Sequence, residues 1–291
     1  MRLTVFTPTY NRKELLARVY ESLRAQTVKN FEWLIVDDGS TDDTGSEVEK
    51  WIGKKEITIR YHYRKNGGKM RAHNTGVQLS DCPLFVCLDS DDIFVPTAVE
   101  ELLAAYDEAK KNESEGQKVG GVVAHKGCTS EKLLGSSKFP KLKTSTLFGL
   151  YLAGFEGETT LMYETKLLLD HPFPEIEGEK YVPEDYIYDK IDKVCVLAVL
   201  PRIITVCEIV DGGYTDSAKE LRKNNPNAFY LFFEQRGRIT PLSLLKLKYL
   251  GRFVIYARRT HRPVFSKNSA GTFWIAAGCL YAAFLLITGR E

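Results

Sequence analysis

The chain has 291 residues, of which 44% are hydrophobic, 27% charged and 11% aromatic. This composition supports a folded core and excludes a disordered or collagen-like chain. The net charge of +2 hides an uneven distribution, because residues 1–234 carry 30 basic and 37 acidic side chains whereas residues 235–291 carry 10 basic and one acidic. An acidic body with a basic tail predicts a negatively charged partner for the tail.

Six cysteines are scattered along the chain, with no C-x-x-C pair and no histidine at ligand spacing. This pattern argues against a disulfide scaffold and against a structural zinc site. The first strand-like run, Leu3–Phe6, follows a single arginine, so no signal-peptide pattern precedes it. We therefore expect the protein to be made and kept in a reducing cytosol.

Short apolar runs alternate with helix-period stretches through the first 125 residues. The apolar runs predict strands at Leu3–Phe6, Trp33–Val36, Ile57–Tyr63, Leu84–Leu88 and Val119–Ala124. The stretches between them predict helices at Lys13–Ala25, Thr44–Trp51, Lys69–Leu79 and Pro96–Lys111. Strands and helices that alternate at this pace predict a doubly wound α/β sheet.

The pattern becomes less regular after residue 125. Glu158–Tyr163 and Val194–Leu200 predict further strands, and Arg202–Ile209 is expected to extend the same sheet. Helix-period stretches dominate from residue 226 to the end. We therefore expect one α/β domain over residues 1–225 and a helical region over residues 226–291.

Acidic and polar residues follow the second predicted strand in the run Val36-Asp37-Asp38-Gly39-Ser40. Ligands of open α/β sheets bind outside the carboxyl ends of the strands. A carboxylate at that place can accept hydrogen bonds from a nucleobase N–H or from a ribose hydroxyl. The alternative is a plain turn, because Asp-Gly-Ser is also good turn chemistry.

Three carboxylates in four residues follow the fourth predicted strand, in the run Asp89-Ser90-Asp91-Asp92. They repel one another unless a cation or the hydroxyls of a ligand offset the charge. Oxygen-only ligands suit Mg²⁺ or Mn²⁺, which complete their coordination with phosphate and water. We therefore favour a metal–diphosphate site over a set of caps for the helix near Pro96, since capping needs one aspartate.

The run Asn66-Gly67-Gly68-Lys69 leaves a predicted strand and enters a predicted helix. Paired glycines let the backbone approach a ligand, and a helix start presents N–H groups to phosphate. Neither the Walker A spacing nor a G-x-G-x-x-G run occurs in the sequence. A plain Gly-Gly turn is the alternative.

The pair Glu184-Asp185 is expected to open a helix that runs through Asp192. Acidic residues in the first turn of a helix commonly just complement its dipole. A general base, in contrast, must aim its carboxylate at a hydroxyl across a cleft. The residues alone leave both interpretations open.

In this combination and order, the motifs resemble those of glycosyltransferase family 2, whose members have the GT-A fold. The resemblance extends over about residues 1–210 and depends on Thr7-Pro8-Thr9-Tyr10-Asn11-Arg12, Asp37–Ser40, Asn66–Lys69 with Ala72, Asn74 and Gly76, Asp89–Asp92, and Glu184-Asp185. It implies a Rossmann-like, mostly parallel sheet with a helical C-terminal extension. The acidic pair departs from the family pattern, because Pro183 precedes it and no long arginine-bearing signature follows.

The resemblance implies a donor site with a divalent metal. Asp37 or Asp38 would recognise the base, most often uracil, and Asp91 with Asp89 would hold Mn²⁺ or Mg²⁺ against the diphosphate. The implied nucleotide-binding residues are Pro8, Thr9, Tyr10, Asn11, Asp37, Asp38, Asn66, Gly67, Gly68, Lys69, Asp89 and Ser90.

The same resemblance implies an inverting transfer from a nucleotide-sugar, a UDP-sugar, to a hydroxyl of a glycan or polyprenyl-linked acceptor in surface polysaccharide synthesis. Asp185 would be the base that deprotonates this hydroxyl, with Glu184 as the alternative. Residues 1–125 would bind the donor and residues 126–225 the acceptor. A catalytically silent GT-A scaffold is the rival function. A nucleotidyltransferase is disfavoured, because the loop Thr7–Arg12 has no glycine.

The basic tail predicts membrane association. Leu242–Arg262 has the pattern of a basic amphipathic helix, and residues 268–289 are uncharged. As a helix the uncharged stretch would be about 33 Å long, close to the bilayer core of roughly 30 Å. We therefore expect attachment to the membrane surface or a single span, at the cytoplasmic face, with packing on the domain as the alternative. No basic and aromatic module for nucleic acid is present in the sequence.

Overall fold

The structure is a computed structural model that describes residues 1–207, 218–264 and 272–288. The described residues form two compact units. The first contains residues 1–172 and 187–211, and the second contains residues 173–186 and 212–291, each as far as they are described. Segment 173–186 thus belongs to the same compact unit as the C-terminal helices. The division at residue 225 into a catalytic domain and a membrane-association region stays a prediction.

The described elements alternate between strands and helices over most of the first unit. The strands are β1 Leu3–Thr9, β2 Phe31–Asp37, β3 Ile59–Tyr63, β4 Leu84–Cys87, β5 Asp92–Phe94, β6 Val119–Gly127, β7 Thr144–Ser145, β8 Thr159–Glu164 and β9 Val196–Cys207. The helices are α1 Lys13–Arg24, α2 Thr44–Lys54, α3 Lys69–Leu79, α4 Ala98–Lys111, α5 Leu147–Leu152, α6 Thr165–Asp170, α7 Asp185–Ile191, α8 Ala218–Asn224, α9 Pro226–Ile239, α10 Leu244–Arg259 and α11 Thr272–Ile287.

The described strands form a nine-stranded open sheet in the order β3-β2-β1-β4-β8-β6-β9-β5, with β7 beside β9. Strands β1 to β4 pair in parallel, as do β6 and β9, while β8 runs antiparallel between β4 and β6. Helices connect the parallel strands, as parallel pairing requires. The predicted doubly wound, mostly parallel α/β sheet is therefore confirmed.

The central strands are buried on both faces. All seven residues of β2 are buried, as expected for a parallel strand that helices cover on either side. On one face, Trp33 stacks with Trp51 of α2, whose ring lies 4.8 Å from that of Tyr20 in α1. Helix α3 approaches β1 closely, because a Cβ atom at Gly76 would lie 2.5 Å from the ring of Phe6. This packing fixes where α1, α2 and α3 begin, beside the carboxyl edge of the sheet.

Two strand predictions differ from the structure. Val194–Leu200 and Arg202–Ile209 were predicted as separate strands, but the chain forms one strand, β9, as far as Cys207, and residues 208–209 lie outside the described part. Proline has no N–H to donate to a ladder, so a strand that runs through Pro201 needs a local irregularity. The strand continues because residues 201 and 202 form a bulge, where the partner of β6 jumps from Leu200 to Ile203.

The second unit has an apolar core of its own between α9, α10 and α11. Phe229, Phe253, Tyr256, Ile275 and Leu285 are among its buried side chains. The predicted stretch 268–289 is described from residue 272 to residue 288, where it forms the 16 residues of α11. No helix within the described ranges combines the length and the apolar character that crossing a bilayer requires.

Candidate active site

Three loops that carry predicted site residues lie at one edge of the sheet in the first unit. Strand β1 runs parallel to β2 on one side and to β4 on the other, so the chain leaves all three strands at the same edge after Thr9, Asp37 and Cys87. The backbone N–H of Asp38 donates to the Thr9 carbonyl at 2.8 Å. The sheet topology thus brings together the motifs Thr7–Arg12, Asp37–Ser40 and Asp89–Asp92. The carboxyl-edge rule suggested this arrangement.

The turn after β1 is fixed to the loop after β2. Asn11 has a left-handed backbone (φ 51°), and its N–H donates to the Ser40 hydroxyl at 2.9 Å. Pro8 and Thr9 end the strand, and Thr9 is buried. Tyr10, in contrast, exposes 48% of its surface. The turn therefore presents Tyr10 to solvent from a fixed position.

Asp37 is almost fully buried and bonded on both carboxylate oxygens. Its Oδ1 accepts from the Ser40 N–H at 2.7 Å, and its Oδ2 accepts from the Tyr61 hydroxyl at 2.7 Å. Burial and the bond to this carboxylate raise the pKa of Tyr61 well above its usual value, so the hydroxyl stays protonated as a donor. Asp37 consequently holds the loop Asp37–Ser40, called the DDGS loop below, to strand β3.

Asp38 joins that loop to the glycine-rich one. Its carboxylate accepts from the N–H groups of Gly67 at 3.0 Å and Gly68 at 2.6 Å, and it forms an ion pair with Arg64 at 2.5 Å. The side-chain amide of Asn66 donates to the Asp38 carbonyl at 2.8 Å. We expected the paired glycines to offer their N–H groups to a phosphate, but in this structure those N–H groups donate to Asp38.

The contact between these two loops depends on Gly39. Its φ of +92° is strained for other residues, and a Cβ atom there would lie 2.8 Å from the backbone nitrogen of Asn66. We expect Gly39→Ala to lower the free energy of unfolding by about 2–3 kcal/mol, from left-handed strain plus the clash. Urea unfolding measures this change.

The matched control is Gly53→Ala, because nothing lies within 4 Å of a Cβ atom at that helical position. We expect this control to be neutral or to stabilise by about 0.5–1 kcal/mol, since alanine is the better helix former. Equal unfolding midpoints for the two variants would show that Gly39 is not required for the loop contact.

Cations from other elements neutralise the acidic motif. Asp89 lies 2.8 Å from the ammonium of Lys69 and 4.0 Å from that of Lys126, which also pairs with Asp92 at 2.7 Å. Burial acts to raise the pKa of Asp89, but the two ammonium groups outweigh it and hold that pKa well below its usual range. Burial acts to lower the pKa of Lys126, but the carboxylates of Asp92 and Asp89 outweigh this effect and raise that pKa. Asp89 and Lys126 are therefore ionised at neutral pH, whereas burial raises the pKa of Asp92.

Asp91 faces a different cation. Its Oδ2 accepts from a guanidinium N–H of Arg12 at 2.8 Å, and the same nitrogen lies 3.3 Å from the Ser90 hydroxyl. The Asp91 side chain is 22% exposed, whereas Ser90 is buried. The carboxylate of Asp91 is thus paired with Arg12 but still accessible to a cation from solvent.

These residues can be tested against the implied metal. Among the described residues, no three or more His, Cys, Asp or Glu side chains are grouped as a protein-only metal site. Mg²⁺ or Mn²⁺ bound to a diphosphate needs only one or two protein carboxylates, which Asp91 and Asp89 can supply. A metal at Asp91 would compete with the guanidinium of Arg12 for this carboxylate, because the two cations repel each other. The residues fit a metal that arrives with a diphosphate.

The predicted acidic pair belongs to the other compact unit. Glu184 and Asp185 lie in segment 173–186, and helix α7 begins at Asp185. Oδ2 of Asp185 lies 2.8 Å from a guanidinium nitrogen of Arg236, a residue of α9 in the same unit. The structure therefore brings the nucleotide and metal candidates together in the first unit and places the base candidates in the second.

Sequence reasoning named Lys69 as a site residue but missed the other cations that partner the acidic residues. Two of them carried a signal, because Arg12 ends the Thr7–Arg12 motif and Lys126 follows the predicted strand Val119–Ala124. Arg64 and Arg236 carried no such signal, because each is distant in sequence from the carboxylate that it contacts in the folded chain.

Residues 4–145 match the family model described as Glycosyl transferase family 2. The match contains all three loops of the first unit and ends before the acidic pair. An uncharacterized glycosyltransferase of Rickettsia felis is 42% identical over 107 residues, which make up 37% of this chain and 17% of that protein. The chain thus matches less than a fifth of that relative's length.

A longer match joins the chain to the GalNAc(5)-diNAcBac-PP-undecaprenol beta-1,3-glucosyltransferase of Campylobacter jejuni. The two are 27% identical over 176 residues, which make up 60% of this chain and 55% of that protein. The similarity is lower than for the shorter match but extends further along the chain.

Solved structures resemble the chain over most of its length. TarS residues 1–349 of S. aureus, in complex with UDP-GlcNAc, superpose with a TM-score of 0.64 at 21% identity, over 89% of this chain and 73% of that one. The mannosyltransferase PcManGT of Pyrobaculum calidifontis, in complex with GDP-Man and Mn²⁺, gives 0.55 at 18% identity, over 98% and 80%. At such identities the likeness concerns the fold. Residues 4–145 therefore match glycosyltransferase family 2, and the chain has the GT-A fold.

Proposed function

We propose that this protein is a metal-dependent, inverting glycosyltransferase that moves a sugar from a UDP-sugar to a hydroxyl of a glycan or polyprenyl-linked acceptor. The observation that carries the proposal is the set of joined loops in the first unit. Asp38 ties the DDGS loop to Gly67 and Gly68, and the acidic turn with Asp89 and Asp91 lies at the same edge of the sheet. Such an edge offers carboxylates to a ribose and a metal, and cations to a diphosphate.

The nucleoside would bind between the turn after β1 and the DDGS loop. Tyr10 presents an exposed ring that a base can stack on. A carboxylate has about four acceptor sites, so Asp37, with two recorded donors, retains capacity to accept a uracil N–H. Asp38 would act mainly by holding the glycine-rich loop in place, and Asp89 would accept from a ribose hydroxyl.

The diphosphate would lie over the acidic turn. Asp91, with Asp89, would hold Mn²⁺ or Mg²⁺, which when bound stabilises the negative charge on the departing diphosphate. Arg12, which pairs with Asp91, would lie beside the diphosphate and could donate to a phosphate oxygen. Lys69 stays beside Asp89 and adds a second positive charge. These cations explain how a cluster of acidic residues can receive an anionic donor.

Asp185 would be the general base that deprotonates the acceptor hydroxyl, and Glu184 is the alternative. The Asp185 side chain is 34% exposed, so solvent and an acceptor can reach it. The guanidinium of Arg236 lies 2.8 Å from this carboxylate.

The comparisons support a UDP-sugar and a lipid-linked acceptor. The TarS structure contains UDP-GlcNAc, whereas the PcManGT structure contains GDP-Man, so this fold accommodates more than one nucleotide. The name of the Campylobacter relative specifies an undecaprenol-linked substrate. We therefore place the reaction in surface polysaccharide synthesis.

Release of the nucleotide from candidate donors tests the proposal without a known acceptor, because water can replace the acceptor slowly. We expect UDP release from one of UDP-glucose, UDP-galactose or UDP-GlcNAc in the presence of Mn²⁺. GDP-mannose serves as the nucleotide control. Tight binding of UDP without release from any donor would favour the catalytically silent scaffold.

We place the protein at the cytoplasmic face of the membrane through its second unit. Helix α11 buries Ile275 and Leu285 in the core of that unit. On its other side, Phe273, Leu280 and Ile287 are exposed by 76%, 77% and 85%. A helix that is apolar on both sides has an unpartnered face.

The partner that suits this face is a bilayer containing anionic lipids. Residues 235–291 carry 10 basic and one acidic side chain, and Lys248, Arg258 and Arg259 of α10 are exposed. Apolar side chains can enter the headgroup boundary while neighbouring cations bind lipid phosphates.

Vesicle flotation tests this location. We expect the protein to float with vesicles of phosphatidylcholine and phosphatidylglycerol, and much less with phosphatidylcholine alone. Leu280→Asp should reduce flotation about tenfold, because a buried charge opposes insertion. Leu169→Ser, at a leucine of the first unit with 48% exposure, is the matched control and should float like the wild type. Equal flotation of the Leu280 variant would exclude α11 as the lipid-binding face.

A further inference from the structure

Segment 173–186, which carries the acidic pair, is bonded to the N-terminal part of α9. The carboxylate of Glu179 accepts from the backbone N–H groups of Asn227 at 2.7 Å and Ala228 at 2.8 Å. The side-chain carbonyl of Asn225 accepts from the N–H groups of Lys180 at 2.9 Å and Tyr181 at 3.0 Å. Glu179 thereby satisfies donors that a helix start leaves open. These bonds fix the segment to the helix on its N-terminal side.

The end of the segment is held further along the same helix. The side-chain amide of Gln235 donates to the Tyr186 carbonyl at 2.9 Å. The next residue of α9, Arg236, forms the 2.8 Å ion pair with Asp185. Consecutive residues of one helix therefore bind the backbone and the carboxylate of consecutive residues in the segment.

Arg236 is itself held rigidly. Its side chain is only 2% exposed, which is unusual for an arginine. The guanidinium carbon lies 5.4 Å from the ring centroid of Phe232 and 5.9 Å from that of Tyr249, on α9 and α10. Cation–π contacts of this kind orient the planar group as well as stabilise it. The charge that faces Asp185 has consequently little freedom to move.

The buried guanidinium of Arg236 lies beside the partly exposed carboxylate of Asp185 and restricts how that carboxylate can turn. Asp185 keeps 34% of its side chain exposed, whereas that of Arg236 is only 2% exposed. The carboxylate thus contacts a buried cation and is also reached by solvent.

We infer that Arg236 is a positioning residue for Asp185, and that the C-terminal helices carry and orient the base of the reaction. This inference rests on the proposed function, because it assumes that Asp185 accepts the acceptor proton. It gives the second unit a part in the chemistry in addition to membrane attachment. Arg236 itself touches neither donor nor acceptor in this assignment.

The test compares Arg236→Met and Arg236→Lys with the full-length wild type. We expect Arg236→Met to lower kcat about 30- to 100-fold, since a misplacement near 1 Å costs about that much. The KM for the donor and the Kd for UDP should change less than about threefold, because only the step after binding is affected. Arg236→Lys keeps the charge and should recover about a tenth to a third of the wild-type kcat.

Lys223→Met is the matched control, since Lys223 is an exposed cation of α8 in the same unit. It should leave kcat and KM unchanged. A double-mutant cycle of Arg236→Met with Asp185→Asn, measured by urea unfolding, reports the coupling of the pair independently of turnover. We expect a clearly non-additive result.

Two results would overturn the inference. If Arg236→Met has the same kcat as the wild type, the arginine does not position the base. Parallel loss of UDP affinity, folding stability and kcat in both Arg236 variants would assign it a merely structural role. If the wild type releases no nucleotide from any donor, the proposed function fails instead, and the cycle still reports whether the pair exists.

Discussion

Asp91→Asn is expected to abolish turnover and to remove the metal-dependent part of UDP binding. The substitution keeps the shape of the side chain but removes the negative charge that would hold a divalent cation against the diphosphate. We expect kcat to fall at least about a thousandfold, since the metal supplies several kcal/mol of charge stabilisation in the transition state. Steady-state UDP release and calorimetric UDP binding, each with and without Mn²⁺, measure the two effects.

The control for Asp91 is Asp81→Asn. Asp81 also pairs with an arginine, Arg60 at 2.9 Å, but its side chain is 86% exposed. An exposed pair contributes less than about 1 kcal/mol, so this variant should keep both activity and stability. Mn²⁺-dependent UDP binding that persists in Asp91→Asn would remove Asp91 from the metal site. Arg12 and Lys69 would then be the groups that neutralise the diphosphate.

Asp185→Asn should abolish transfer while leaving UDP binding nearly intact. An amide cannot accept the acceptor proton, and a positioned general base contributes about 10²- to 10⁴-fold to the rate. The proposed UDP site lies in the first unit and Asp185 in the second, so we expect the Kd for UDP to stay within about twofold of the wild type. Single-turnover transfer and UDP calorimetry separate the two quantities.

Glu184→Gln provides the matched comparison for Asp185, because it makes the same chemical change one residue earlier. We expect it to lower the rate about tenfold or less, as befits a neighbour that is not the base. Wild-type activity in Asp185→Asn, together with an inactive Glu184→Gln, would transfer the role of base to Glu184. Loss of UDP binding in Asp185→Asn would indicate a general effect on the fold.

Much of the fold could be predicted from the sequence because its central strands are buried on both faces. Runs such as Trp33–Val36 contain apolar residues only, and that pattern distinguishes them from the amphipathic helices beside them. Strand β5, Asp92–Phe94, was not predicted, since three residues that begin inside the acidic motif give no periodic signal. Its partner β9 was divided at Pro201, although the bulge there accommodates the proline.

The candidate site was predictable to the extent that sheet topology determines it. Parallel strands bring the ends of β1, β2 and β4 to one edge, so motifs directly after these strands had to lie close together. The partners of their carboxylates were not predictable. Asp38 binds two backbone N–H groups of another loop, and Asp89 binds Lys126 of a strand further along the sheet. Such contacts depend on loop geometry that no local pattern records.

The acidic pair shows the same limit at the level of the compact units. Its residue types suggested a general base, but no local pattern assigns segment 173–186 to the helices that follow residue 212. That assignment depends on long-range bonds from Glu179, Asn225 and Arg236. Each of these side chains, considered alone, resembles an ordinary helix residue.

Calorimetric titration of the purified protein in mild detergent with UDP, GDP and CMP, each with and without Mn²⁺, tests most directly whether the first unit is a metal-dependent nucleotide site. We predict micromolar binding of UDP that requires Mn²⁺, and much weaker binding of the other two nucleotides. Absence of binding for all three would contradict a nucleotide-sugar donor site. The carboxylates of Asp89 and Asp91 would then serve only the ion pairs with Lys69, Lys126 and Arg12.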